Sequence, residues 1–156
     1  MNLRLSYDAG VKTLKAVLAF SLIISAAVGV YISATDSYLW AEAPTHAYGL
    51  IAFILVDLFA ALALYALPRL SRVLALLFPA IQLGAMVGDL YMGLGSPGSV
   101  VQSGFREYLL NDSSFMTLLV LQAALVGLAS GYFVQRQAGA PAPPSVSEVK
   151  RRSIGV

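Results

Sequence analysis

The chain has 156 residues, 58% of them hydrophobic and only 12% charged, with a formal net charge of +2. Soluble domains carry roughly 25% charged residues, so an ordinary water-soluble domain is excluded, and the length leaves room for one domain. Cysteine is absent, which removes disulfides, thiolate metal sites and thiol redox chemistry together.

The first long apolar stretch runs from about Val11 to Ala34, with Lys12 and Lys15 ahead of its uninterrupted apolar run. Its end, Ile32-Ser33-Ala34, has the small residues of a signal-peptide cleavage site, but the run exceeds the roughly 7–15 apolar residues of a signal core. It is therefore expected to stay as a membrane span. A loop over residues 35–45 follows, in which Tyr38 and Trp40 suit the headgroup level of a bilayer. Thr45 is the expected N-cap of the second stretch, His46 to Leu67, and Pro68 ends it. The turn Pro68-Arg69-Leu70-Ser71-Arg72 has room only for an antiparallel hairpin. Ser71 is the expected cap of the third stretch, Val73 to Leu94, which Pro79 should kink.

Breakers from Gly93 to Gly98 precede a segment in which Val101, Phe105, Tyr108 and Leu109 share one helical face, with Gln102, Arg106 and Glu107 opposite. This pattern is expected to form a short amphipathic helix lying on the interface between spans three and four. Asp112 or Ser113 should cap the fourth stretch, Phe115 to Gln135, a role that also accounts for the glycosylation-like triplet Asn111-Asp112-Ser113. Residues 138–156 are rich in Ala, Pro and Ser, and are expected to form a disordered basic tail. There, Lys150, Arg151 and Arg152 would rest on anionic lipid.

Each stretch exceeds the ~20 residues that cross a hydrocarbon core of ~30 Å. Nine of the ten Lys and Arg residues (Arg4, Lys12, Lys15, Arg69, Arg72, Arg136, Lys150, Arg151 and Arg152) fall before the first span, between the second and third, or after the fourth. Only Arg106 falls on the other side, and such asymmetry marks cytoplasmic loops. The expectation is an all-α integral membrane protein, with a four-transmembrane-helix antiparallel bundle over residues 1–137. It would be multi-pass in the cell membrane with both termini cytoplasmic (N-in/C-in). The isoelectric point of about 9.0 then reflects cytoplasmic basic residues facing lipid headgroups, and nucleic acid is not an expected partner.

Ionisable residues inside spans cost a few kcal/mol on insertion scales and are functional candidates. Asp57 and Asp89 qualify. Asp57 and Gln82 are equally distant from the hairpin turn, so they should meet at one depth. Seven residues from Gln82 to Asp89 make about two turns, as eleven from His46 to Asp57 make about three. These faces would join in a polar seam from His46 through Asp89 to Asp57 and Gln82, open outward and closed toward the cytoplasm, with Gln122, Ser21 and Ser25 within reach. Such residues also serve as interhelical glue, worth about 0.6 kcal/mol on average.

His46 is the only histidine, which precludes bis-imidazole haem within one chain. A copper(I) site from His46, Met92 and Met116 has suitable ligands, but methionine in apolar spans is usually filler. No metal or cofactor is expected. The motifs Gly84-Ala-Met-Val-Gly88 and Gly127-Leu-Ala-Ser-Gly131 permit close backbone approach, inside the bundle or against a neighbour.

No nucleophile–base pair or phosphate-binding glycine loop is present, so the chain is not expected to be an enzyme. The leading expectation is a non-catalytic accessory subunit of a larger membrane complex, such as a respiratory oxidoreductase assembly, in contact with other membrane subunits. The alternative is a small homo-oligomeric proton- or cation-coupled transporter or channel, with Asp57 as coupling carboxylate and Asp89 as outer relay. A third reading is a lipid- or quinone-binding protein whose outward pocket is lined by Tyr48, Phe53 and Tyr91 beside Asp89.

Overall fold

The computed structural model describes residues 2–67, 70–95 and 98–138. The basic tail, its lipid contact and turn residues 68–69 lie outside this set. Every regular element among the described residues is helical: α1 (Asn2–Thr35), α2 (Ser37–Glu42), α3 (Pro44–Ala66), α4 (Ser71–Met92), α5 (Val100–Asn111) and α6 (Ser113–Ala138). The stretches Ala9–Thr35, Pro44–Ala66, Val73–Met92 and Ser113–Gln135 are long and apolar enough to cross a membrane, the dimensions of a multi-pass membrane protein.

The helix ends follow from side-chain and proline chemistry. Where the sequence suggests a loop at residues 35–45, Asp36 instead caps a short helix, its Oδ1 accepting from Leu39 N at 2.9 Å. Pro44 occupies the first turn of α3 behind Ala43, so Thr45 lies within the helix and does not cap it. Proline at that position supplies a preset φ and lacks an N–H that the first turn could not pair anyway. Ser71 is likewise the first residue of α4, behind Leu70, and its buried hydroxyl has no partner. Asp112 does cap α6, accepting from Ser114 N at 2.7 Å. Gly95 at φ 71° and Gly98 at φ 80° make the turn into α5, a backbone region open chiefly to glycine.

The four long helices close a ring: α1 packs on α3 and α6, and α4 packs on α3 and α6. α2 lies on α3, and α5 folds against α4 and α6, so both short helices sit at one end of the ring, here the α5 end. The interior holds two apolar clusters. One, toward the far end, includes Leu18, Leu22, Leu64, Leu125 and Tyr132. The other, at the α5 end, includes Ile32, Ala47, Met86, Phe105 and Leu118.

Helices α1 and α3 meet closely at Gly29, where an added Cβ would lie 2.7 Å from Ile54 Cγ1. Gly29→Ala is expected to destabilise the protein by about 1–3 kcal/mol through overpacking, measurable as a lower midpoint of unfolding in detergent. The glycine pairs of α4 and α6 behave differently, because a Cβ at Gly84, Gly88 or Gly127 would meet nothing within 4 Å. These three do not bring the helices of this chain together, and at Gly131 a Cβ would meet Leu14 Cδ2 of α1 only at 3.9 Å, an ordinary contact.

Candidate functional site

The expected polar seam forms as two separate clusters. In the first, each long helix contributes one residue to a layer across the ring: Ser25 from α1, Asp57 from α3, Gln82 from α4 and Gln122 from α6. All four are at most 2% exposed. Gln82 Nε2 donates to Asp57 Oδ1 at 2.7 Å. Gln122 Nε2 donates to Ser25 Oγ and to Gln82 Oε1, each at 2.7 Å, and reaches Asp57 Oδ2 at 3.5 Å. An amide nitrogen has two hydrogens, so three acceptors crowd that donor, while Gln122 Oε1 is buried without a partner. Asp57 and Gln82 meet as their distances from the turn require. Ser25, and not Ser21, supplies the hydroxyl bond from α1.

The second cluster lies at the α5 end, where His46 Nε2 stands 3.2 Å from Asp89 Oδ1. Thr45 Oγ1 lies 3.3 Å from His46 Nδ1. This pair faces a cavity of about 270 Å³ whose apolar walls include Leu50, Phe53, Ala85, Met86 and Leu118. None of the four layer residues lines it. The reason lies in the register of three helices. Phe53, Met86 and Leu118 each stand four residues from Asp57, Gln82 and Gln122, which is one turn. They form an apolar floor between chamber and layer, so the continuous seam expected from the sequence is interrupted.

The short helices form the roof. Phe105 is 1% exposed, lines the chamber and sets its ring 5.0 Å from that of His46. The rotation of α5 departs from the expected amphipathic face. Val101 is 62% exposed, whereas Gln102 is buried, because Gln102 Oε1 accepts from Leu94 N at 2.9 Å and ties the incoming loop. The buried face of α5 therefore packs on protein. Tyr108 donates from its hydroxyl to Asp36 Oδ2, joining the roof to the segment between α1 and α2. Burial, and then that carboxylate, push the Tyr108 hydroxyl far above its ordinary pKa. A raised folded-state value means that this contact contributes in full below about pH 10, the unfolded tyrosine value, and weakens as pH rises beyond it. The expected outcome is a fall in the hydrogen-exchange protection of α5, taken relative to the intrinsic base-catalysed rate, above about pH 10, absent in Tyr108→Phe.

The lining corrects the aromatic expectation. Phe53 lines the chamber together with Phe105, Tyr108 and Phe115, whereas Tyr48 and Tyr91 are each 67% exposed. Helical phase carries the signal. Phe53 is seven residues, about two turns, from His46, while Tyr48 follows His46 by two and Tyr91 follows Asp89 by two, which turns them away. Neither Met92 nor Met116 lines the chamber with His46. Among the described residues, no group of three His, Cys, Asp or Glu side chains converges as a metal site.

Family models, curated proteins and solved structures were compared with the chain, and none matches it.

Proposed function

We propose that the protein is a membrane-embedded binding protein for a small lipophilic molecule with a polar head. Its helices form an antiparallel bundle with both termini in the cytoplasm of a cell membrane, on the nine-to-one distribution of basic residues. The α5 end then faces outward. The single observation that carries the binding role is the chamber, with apolar walls and a converging His46–Asp89 pair. A concave apolar site with few placed polar groups is the usual form of a small-molecule site. Thr45 on α3 and Ala85 on α4 both line it and are exposed. Its mouth thus lies at the seam between α3 and α4, open to a ligand dissolved in the outer leaflet.

Binding of labelled octanol to the protein in nanodiscs, above that of empty nanodiscs, tests this reading. Gly49 lines the chamber and has open space where a Cβ would stand, so Gly49→Phe fills the site. We expect that substitution to weaken binding by at least about tenfold, or 1.4 kcal/mol. Undiminished binding would place the ligand elsewhere.

A partner-bound accessory subunit is a second reading, and a different observation favours it. Ala80 and Gly84 on α4, with Ala123 and Gly127 on the neighbouring α6, are exposed small residues, a surface that suits close helix packing between subunits. Gently extracted particles should then contain stoichiometric partner chains that Gly84→Leu releases. The transporter reading has weaker support, because Asp57 lies below the floor and does not line the chamber.

A further inference from the structure

We infer that the chamber discriminates by charge and takes an amphiphilic cation, an alkylammonium head on a short apolar tail. This inference rests on the ligand-binding reading and names the ligand class of that same site.

The charge balance of the lining is its first support. Among the described residues, Asp89 and Asp112 both line the chamber, and no lysine or arginine does. Arg106, the basic residue of the roof helix α5, is exposed and absent from the lining. His46 engages only one oxygen of Asp89, with Nε2 3.2 Å from Oδ1, and its Nδ1 faces the Thr45 hydroxyl at 3.3 Å. Asp89 Oδ2 remains for a ligand. Asp112 commits Oδ1 to the amides that start α6, Ser114 N and Phe115 N, and likewise retains Oδ2. Two carboxylates among apolar walls attract a cation far more strongly than they would in water. By the same field they oppose a fatty-acid carboxylate or a phosphate.

The aromatic lining is the second support, and it is independent of charge. Phe53, Phe105, Tyr108 and Phe115 come from three different helices to surround one space. Ring faces carry a partial negative charge, and several of them around a pocket are a recurrent means of holding ammonium groups. The volume of about 270 Å³ lies near the lower end of the ~300–1,000 Å³ range of small-molecule sites. It suits a compact head with a short tail. The tail would leave through the seam at Ala85, toward lipid.

The test uses the full chain in nanodiscs, dialysed to equilibrium against labelled octyltrimethylammonium, octanoate and octanol, with empty nanodiscs as blank. The expected result is a cation affinity at least about tenfold above that of octanol, with octanoate retained no more than by the blank. Asp89→Asn should lower the ratio of cation to octanol affinity at least about fivefold. Equal retention of all three probes would overturn the charge selectivity while leaving a lipophile site in place. Retention of none would overturn the ligand-binding reading itself. An unchanged ratio in Asp89→Asn would overturn the assignment of the ammonium to that carboxylate.

Discussion

Replacing Phe105 with alanine is expected to undock α5 from the bundle at a cost of about 3–5 kcal/mol, the usual range for deleting a buried phenyl ring. The ring is 1% exposed and packs beside His46 and Tyr108. It also fills the space over Gly93, where even a Cβ would lie 2.5 Å from Phe105 Cε1. Three other contacts hold α5: the Gln102–Leu94 bond, the Tyr108–Asp36 bond and buried Leu109. None of them replaces that volume. The loss should therefore be local. Amide exchange in α5 and α2 should accelerate by two or more orders of magnitude, since each 1.4 kcal/mol is about tenfold. The four long helices should keep their protection below the chamber floor, where the cluster of Leu18, Leu22, Leu64, Leu125 and Tyr132 packs without Phe105. Uniform loss of protection would mean that α5 is integral to the bundle and not a roof upon it.

The second large effect is expected at Asp57. Asp57→Ala should cost about 2–4 kcal/mol, because a buried donor left without its acceptor costs ~1–3 kcal/mol and a small void adds to it. Gln82 Nε2 loses its 2.7 Å acceptor, and the unused acceptor in the layer, Gln122 Oε1, makes no bond to it in this arrangement. Asp57→Asn keeps an acceptor of the same shape and should stay within about 1 kcal/mol of the parent, near the ~0.6 kcal/mol typical of such interhelical bonds. Thermal unfolding in one detergent, with parent and both variants side by side, separates the two cases. An alanine variant as stable as the parent would show that the layer does not tie the helices together.

Much of this architecture is legible in the sequence because membrane spans carry two strong signals, apolar length and the sidedness of basic residues. The pairing of Asp57 with Gln82 is legible because a short turn fixes the register of α3 against α4. Gln122 and Ser25 could be named as neighbours, but their convergence depends on the rotation of α6 and α1, which no short connection fixes. The chamber is the least legible part. Its floor is a one-turn offset between polar and apolar residues on three helices, and its roof depends on how α5 turns. There, one buried bond from Gln102 outweighs the exposure of Val101, so the hydrophobic pattern alone points the helix differently. The caps at Thr45 and Ser71 were displaced by one or two residues for a related reason. Pro44 presets the first turn of α3, and Ser71 is drawn inside the bundle as the first residue of α4.

Absence of cysteine from the chain allows a direct test of the central claim, a ligand chamber open to the outer face above a sealed polar layer. Single cysteines at Gly49, which lines the chamber, and at Gln82, one turn below its floor, would be exposed to a membrane-impermeant thiol reagent in right-side-out vesicles. Reaction at Gly49→Cys, slowed at least about tenfold by octyltrimethylammonium, together with no reaction at Gln82→Cys, is the expected result. Protection of Gly49→Cys from the outside, or equal reaction at both positions, would contradict it.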